Sequence, residues 1–136
     1  MRTVFSVALL ATALLAMNVR AADEKADLKP LEEMADKALK AYNEGDWKGF
    51  FADYAKSMAA LATEQTFKAL YTDQAMKNLG KYESKKLLDK ETVLAGDFPL
   101  LVYEAKFEKA EKVKASFNFT KEDGKFKIMQ VRFDKQ

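Results

Sequence analysis

The 136-residue chain contains no Cys and no His. Soft-metal ligation and imidazole proton transfer therefore have no carrier in it. Acid–base chemistry would fall to carboxylates that burial has shifted toward neutrality. Hydrogen-bond donation to a developing oxyanion would fall to Tyr54, Tyr71 and Tyr103. The carboxylates do not sit where such work needs them. Glu104 and Glu108 alternate with the apolar-face residues Tyr103 and Phe107, while Asp53 and Asp73 fall off the helical stripes. Arg132 and Asp134, two apart on the last strand, share a face, but it is the outer one beside Lys114. No nucleophile–base pair, phosphate-cradling Gly loop or EF-hand spacing is readable. The expected catalytic set is empty, and no metal or cofactor is expected.

The tyrosines must be positioned by helices first and strands second. Asp27 is a candidate cap for a stripe of Leu28, Leu31, Ala35, Ala38, Leu39 and Tyr42. Gly45 suits the left-handed position that ends this helix, and Asp46 can cap the next. Trp47, Phe50, Phe51, Tyr54 and Met58 then share one face, which predicts a second helix reaching Met58. Thr63 caps a third, through Phe67, Leu70, Tyr71, Ala75 and Leu79 to Gly80, with Gln74 and Asn78 at the border of its apolar face.

After Gly80 the period becomes two. Tyr82 to Leu94 reads as a poorly patterned strand. A turn centred on Ala110 pairs Phe107 with Val113, Ala105 with Ala115, Tyr103 with Phe117 and Leu101 with Phe119, giving one wholly apolar face. A three-residue loop, Glu122-Asp123-Gly124, places Met129 opposite Phe117 and turns Met129, Val131 and Phe133 inward. The expected architecture is α+β: three N-terminal helices packed on a curved antiparallel sheet of about four strands, shaped as a cone. On the face left uncovered, this register gathers Leu100, Val102, Phe126 and Ile128 into one apolar patch.

The start of the chain has a different character. Arg2 precedes the apolar run Val4 to Met17, and Val19-Arg20-Ala21 resembles a signal-peptidase site. The run is short for a membrane anchor. The expected organisation is a signal peptide over 1–21, a flexible mature N-terminus over 22–27 and a single domain over 28–136. Localisation is then secreted or periplasmic, with no membrane attachment after cleavage. The formal charge of +2 leaves with Arg2 and Arg20, so 21 basic residues face 21 acidic ones. Interspersed charge of this kind does not make a nucleic-acid surface.

"ALKAYNEGDWKGFFADYA", a helix ending "NLGKYES" and strands closing on "GKFKIMQVRF" resemble the nuclear transport factor 2-like superfamily, particularly its secreted bacterial members. The resemblance implies a cone in which a bent sheet and helices enclose a space, with the aromatics after Gly45 near its mouth or floor. Enzymes of this fold place carboxylates, His, Tyr or Arg inside the cone, and members often dimerise sheet to sheet. The reading is an exported, non-catalytic module that binds a small apolar ligand or a protein partner. The alternative is a small-molecule isomerase, dehydratase or hydrolase using the cone cavity. Trp47, Tyr54, Tyr71 and Tyr103 are the expected ligand-binding residues. Leu100, Val102, Phe126 and Ile128 are the expected interface for a homodimer or partner on the outer sheet face. Intact-mass analysis of exported protein is expected to show a chain beginning after Ala21; retention of Met1 would remove the basis for this localisation.

Overall fold

The computed structural model describes residues 25–136; the signal segment expected over 1–21 lies outside them. Helix α1, Leu28–Glu44, buries Leu31, Ala35, Ala38, Leu39 and Tyr42. Gly45, at φ 68°, ends it, with the Gly45 N–H on the Tyr42 carbonyl and the Asp46 N–H on the Ala41 carbonyl. That pair of bonds closes a Schellman cap. Asp27 makes no side-chain cap bond, unlike the expectation. Just before it, Lys25 bridges Ala95 and the Ala26 N–H bonds the Leu94 carbonyl, so the expected flexible segment is tied down at this end.

The second helix is much shorter than its aromatic spacing suggests. Helix α2 covers only Trp47–Phe50, opened by the Asp46 carboxylate accepting from the Gly49 N–H at 3.0 Å. A Cβ on Gly49 would lie 2.4 Å from that carboxylate, so the cap requires glycine there. Beyond it the chain leaves the helix to pair with a strand edge. The Ala55 N–H donates to the Ile128 carbonyl, and the Ile128 N–H donates to the Asp53 carbonyl, both at 2.8 Å. A 3-10 turn, Lys56–Met58, follows.

Thr63 caps the third helix through the Thr66 N–H, at 3.2 Å. This helix, α3, comprises an α turn Glu64–Phe67, a nine-residue π stretch Lys68–Met76 and a last turn Lys77–Leu79. The ion pair between Lys68 and Asp73, five residues apart at 3.0 Å, fits the wider spiral. Widening changes which residues point inward. Tyr71 is buried, while Leu70 is 47% exposed.

The sheet runs β1 Tyr82–Leu87, β2 Leu100–Phe107, β3 Ala110–Glu122 and β4 Lys125–Lys135, antiparallel in that order. The strand expected to reach Leu94 stops at Leu87, and beyond it only Val93 bridges Leu100. The β2–β3 register differs from the expected one by two residues. Leu101 faces Phe117, Tyr103 faces Ala115 and Ala105 faces Val113, because the connection is tight at Glu108-Lys109 with a bulge beside Phe107. A shift of two keeps every side chain on its expected face.

The last hairpin is a sharper correction. Glu122 pairs with Lys125 across the two-residue turn Asp123-Gly124, with φ 50° and 77°. Positive φ at both positions marks a type I′ turn. A bulge at Met129 then resets the alternation, so Ile128 faces Phe119 and Val131 faces Phe117. Ile128 and Val131 both enter the core, and Met129, expected opposite Phe117, is displaced from the ladder.

Aromatic edges fill the space between helices and sheet. Tyr42 meets Tyr71, Phe107 and Phe133 edge-on, and its hydroxyl donates to the Gly80 carbonyl at 2.7 Å. The Asn43 amide pairs with both backbone groups of Tyr82, fixing α1 to β1. The bulge makes a testable distinction between neighbours. Ile128→Ala is expected to cost about 2–5 kcal/mol and Met129→Ala less than about 1.5 kcal/mol. Urea unfolding of both variants measures this; equal losses would contradict the register.

Candidate functional site

The edge of β4 faces the inner side of α3, and two adjoining depressions lie between them. One is an apolar cavity of about 330 Å³ lined by Phe51, Tyr54, Met58, Leu61, Leu70, Tyr71 and Met129, with Thr66, Asn118, Gln130 and Val131 completing the wall. The other is a more polar groove of about 680 Å³ running on between α3 and residues 130–135. They share Leu70, Tyr71, Gln130 and Val131.

Tyr54 and Tyr71 form the boundary. Their hydroxyls lie near each other and near the backbone of Val131. The Tyr71 hydroxyl donates to the Val131 carbonyl at 2.8 Å. Burial pushes both phenols up, Tyr71 to about 12 and Tyr54 further. Loss of hydration is the main cause. The Tyr54 hydroxyl partly offsets it for Tyr71, whereas the Tyr71 oxygen raises Tyr54 further. Both groups are neutral donors at any ordinary pH, and neither is a proton carrier.

Of the four expected ligand-binding residues, the structure brings together only Tyr54 and Tyr71. Trp47 stands at the start of α2, half-buried, with the Lys48 ammonium 5.7 Å from its ring, and it lines neither depression. Tyr103 is 1% exposed and points the other way in the fold. Its hydroxyl donates to Glu32 of α1 at 3.1 Å, under the Lys85 ammonium, and burial with that carboxylate raises its pKa. The helical stripe held no signal for this partition, since it counts apolar residues without saying where each hydroxyl is satisfied.

Two other wall residues, Leu61 and Met129, come from irregular backbone. Leu61 lies in the turns after the 3-10 segment and is 51% exposed, and Met129 is the bulged residue. Gln74 and Asn78, at the border of the α3 stripe, do line the polar groove. Arg132 and Asp134 also stand at that groove, with 3.5 Å between their charged groups, both about half exposed.

The expected outer patch does not assemble. Ile128 is 0% exposed in the core, and Phe126 is half-buried with the Lys121 ammonium 5.6 Å from its ring. Val102 is only 4% exposed, its backbone bonded by Leu88 and the Thr92 side chain. Leu100 pairs with Asn118 and bridges Val93. The two-residue turn is the physical reason, because it puts Ile128 opposite Phe119 on the buried face, where a three-residue loop would turn it outward.

No family model and no curated protein matches the chain. Solved structures do. A domain of unknown function with a cystatin-like fold from Nostoc punctiforme aligns with a TM-score of 0.51 at 16% identity, over 81% of this chain and 77% of that one. A DUF4783 family protein from Bacteroides uniformis gives 0.48 at 16% identity, over 74% and 95%. A nuclear transport factor 2-like protein of unknown function from Pseudomonas putida gives 0.47 at 12%, over 78% and 84%. Helices packed on a four-stranded antiparallel sheet, with the likeness to the Nostoc domain, give the chain a cystatin-like α+β fold.

Proposed function

We propose that the protein is an exported, non-catalytic module that holds a small apolar ligand in the cavity between Phe51, Met58, Leu61, Leu70 and Met129. The observation that carries this reading is the composition of that wall. Six of its side chains are apolar or thioether, and no carboxylate or amine is among the lining residues. The Tyr71 hydroxyl at its back is occupied by the Val131 carbonyl, so it makes little polar demand of an occupant. A volume of about 330 Å³ falls at the small end of the range for small-molecule sites, roughly 300–1,000 Å³. Exposed Leu61 and Leu70 at the rim give an apolar entrance.

The enzymatic alternative needs a titrating group inside the cavity. The acid–base candidates Arg132 and Asp134 stand instead in the polar groove, partly exposed and paired with each other. The apolar-ligand reading therefore has the better support. Among the described residues, no helix is long and apolar enough to cross a membrane.

Native mass spectrometry of protein purified from its own source is expected to show a bound mass that organic solvent removes. Met58→Glu with Leu61→Glu should lower affinity for that molecule at least tenfold, with little change in melting temperature, since both residues are partly exposed. Recovery of only bare protein, together with no saturable binding of apolar probes, would sink the proposal. Tyr71→Phe is a poorer probe, because it strips the Val131 carbonyl of its donor and should cost about 1–2 kcal/mol of stability.

The tyrosines also set an alkaline limit. All five have pKa values raised above the ordinary 10.0. A raised folded-state pKa gives stability that is complete below the unfolded value and is lost as pH rises beyond it. Stability is expected to be flat in this respect below about pH 9 and to fall above about pH 10. Phenolate absorbance should appear together with unfolding; phenolate forming in a still-folded protein at pH 10 would contradict the burial.

A further inference from the structure

Strand β4 closes the sheet on one side, and its outward backbone groups fall on Ile128, Val131, Phe133 and Lys135. The ladder fixes this set. Ile128 gives both its groups to Asp53 and Ala55, Val131 turns its carbonyl out to the Tyr71 hydroxyl, and two-residue alternation continues from Val131. Phe133 and Lys135 come next, and among the described residues nothing bonds their outward N–H and C=O groups. These groups face the groove of about 680 Å³ whose far wall is Leu70, Gln74, Ala75, Asn78 and Leu79 of α3.

We infer that this groove is a binding site for an extended peptide segment, which adds a fifth strand beside Val131–Lys135. The complementarity is specific to a polypeptide backbone. Phe133 and Lys135 present donor and acceptor in the spacing that a neighbouring strand satisfies. The opposite wall offers two primary amides, Gln74 and Asn78, both exposed. Such amides bond equally to the carbonyl and N–H groups that the added strand turns away from β4. Its alternate side chains meet the apolar floor of Ala75 and Leu79 on one side and solvent beside Arg132 and Asp134 on the other. The preferred segment therefore alternates small apolar with polar residues. Pairing stops at Val131, whose carbonyl the Tyr71 hydroxyl already occupies, so the contact spans about five residues. A second copy of this chain fits less well, since it would bring its own α3 wall into the same groove.

This site is separate from the apolar cavity in what it recognises, and the two are tested apart. A random linear heptapeptide library is panned against the folded protein and, in parallel, against a Gln74→Trp/Asn78→Trp variant that fills the groove from exposed positions. Sequences enriched on the wild type alone are synthesised and titrated into labelled protein. The expected result is saturable shifts at the Val131–Lys135 amides and the Gln74 and Asn78 side-chain amides. Lys135→Pro, which removes one outward N–H from an edge position that tolerates proline, should weaken binding about fivefold. Methylating alternate backbone nitrogens of the peptide should abolish it. Circular dichroism establishes that each variant folds. No enrichment over the filled variant, shifts elsewhere, or equal binding of the methylated peptide would overturn the proposal. So would concentration-dependent broadening of the same amides without peptide, which would assign the edge to a second copy.

Discussion

An eleven-residue strand at the edge of a sheet leaves a row of N–H and C=O groups without ladder partners, and β4 meets that condition differently along its length. At Ile128 the backbone of Asp53 and Ala55 fills the row; at Val131 the Tyr71 hydroxyl takes the carbonyl. Most of what distinguishes this domain follows from those closures. The second helix ends early so that its continuation can pair with Ile128. Tyr71 must reach Val131 from α3, which brings that helix close over the edge. The cavity and the groove are the spaces left on either side of the tyrosine pair.

The helices answer the same demand. A regular α-helix from Thr63 to Leu79 would carry Leu70 and Tyr71 on one inward face, as the apolar spacing implies. The π stretch instead buries Tyr71 and leaves Leu70 at the rim. Such widening loses favourable hydrogen-bond geometry, and it commonly persists where a side chain has a job to do. Here the buried Tyr71 hydroxyl has a backbone carbonyl as its partner, so the residue is held by its polar end as well as its ring.

Burial also decides what kind of chemistry the interior can support. Each tyrosine hydroxyl in the core has a fixed acceptor: Gly80 for Tyr42, Val131 for Tyr71 and Glu32 for Tyr103. No buried side-chain polar atom among the described residues lacks a partner.

Much of this was written in local sequence. Gly45 and Asp46 mark the break between α1 and α2, Thr63 opens α3, Gly80 ends it, and the odd-numbered residues of β2 and β3 form the buried face. These features depend on capping chemistry and side-chain period, both local properties of the chain. The two-residue slip of β2 against β3 was invisible because it preserves the face. What only the tertiary structure decided lies at β4. The two-residue turn moves Ile128 from the surface to the core, a bulge at Met129 keeps Val131 there too, and together they dissolve the apolar patch that an unbroken alternation predicts. The separation of Tyr54 and Tyr71 from Trp47 and Tyr103 is likewise set by which distant backbone or carboxylate each can reach. Period and propensity record how residues repeat along a chain; they carry nothing about which strand edge is left open.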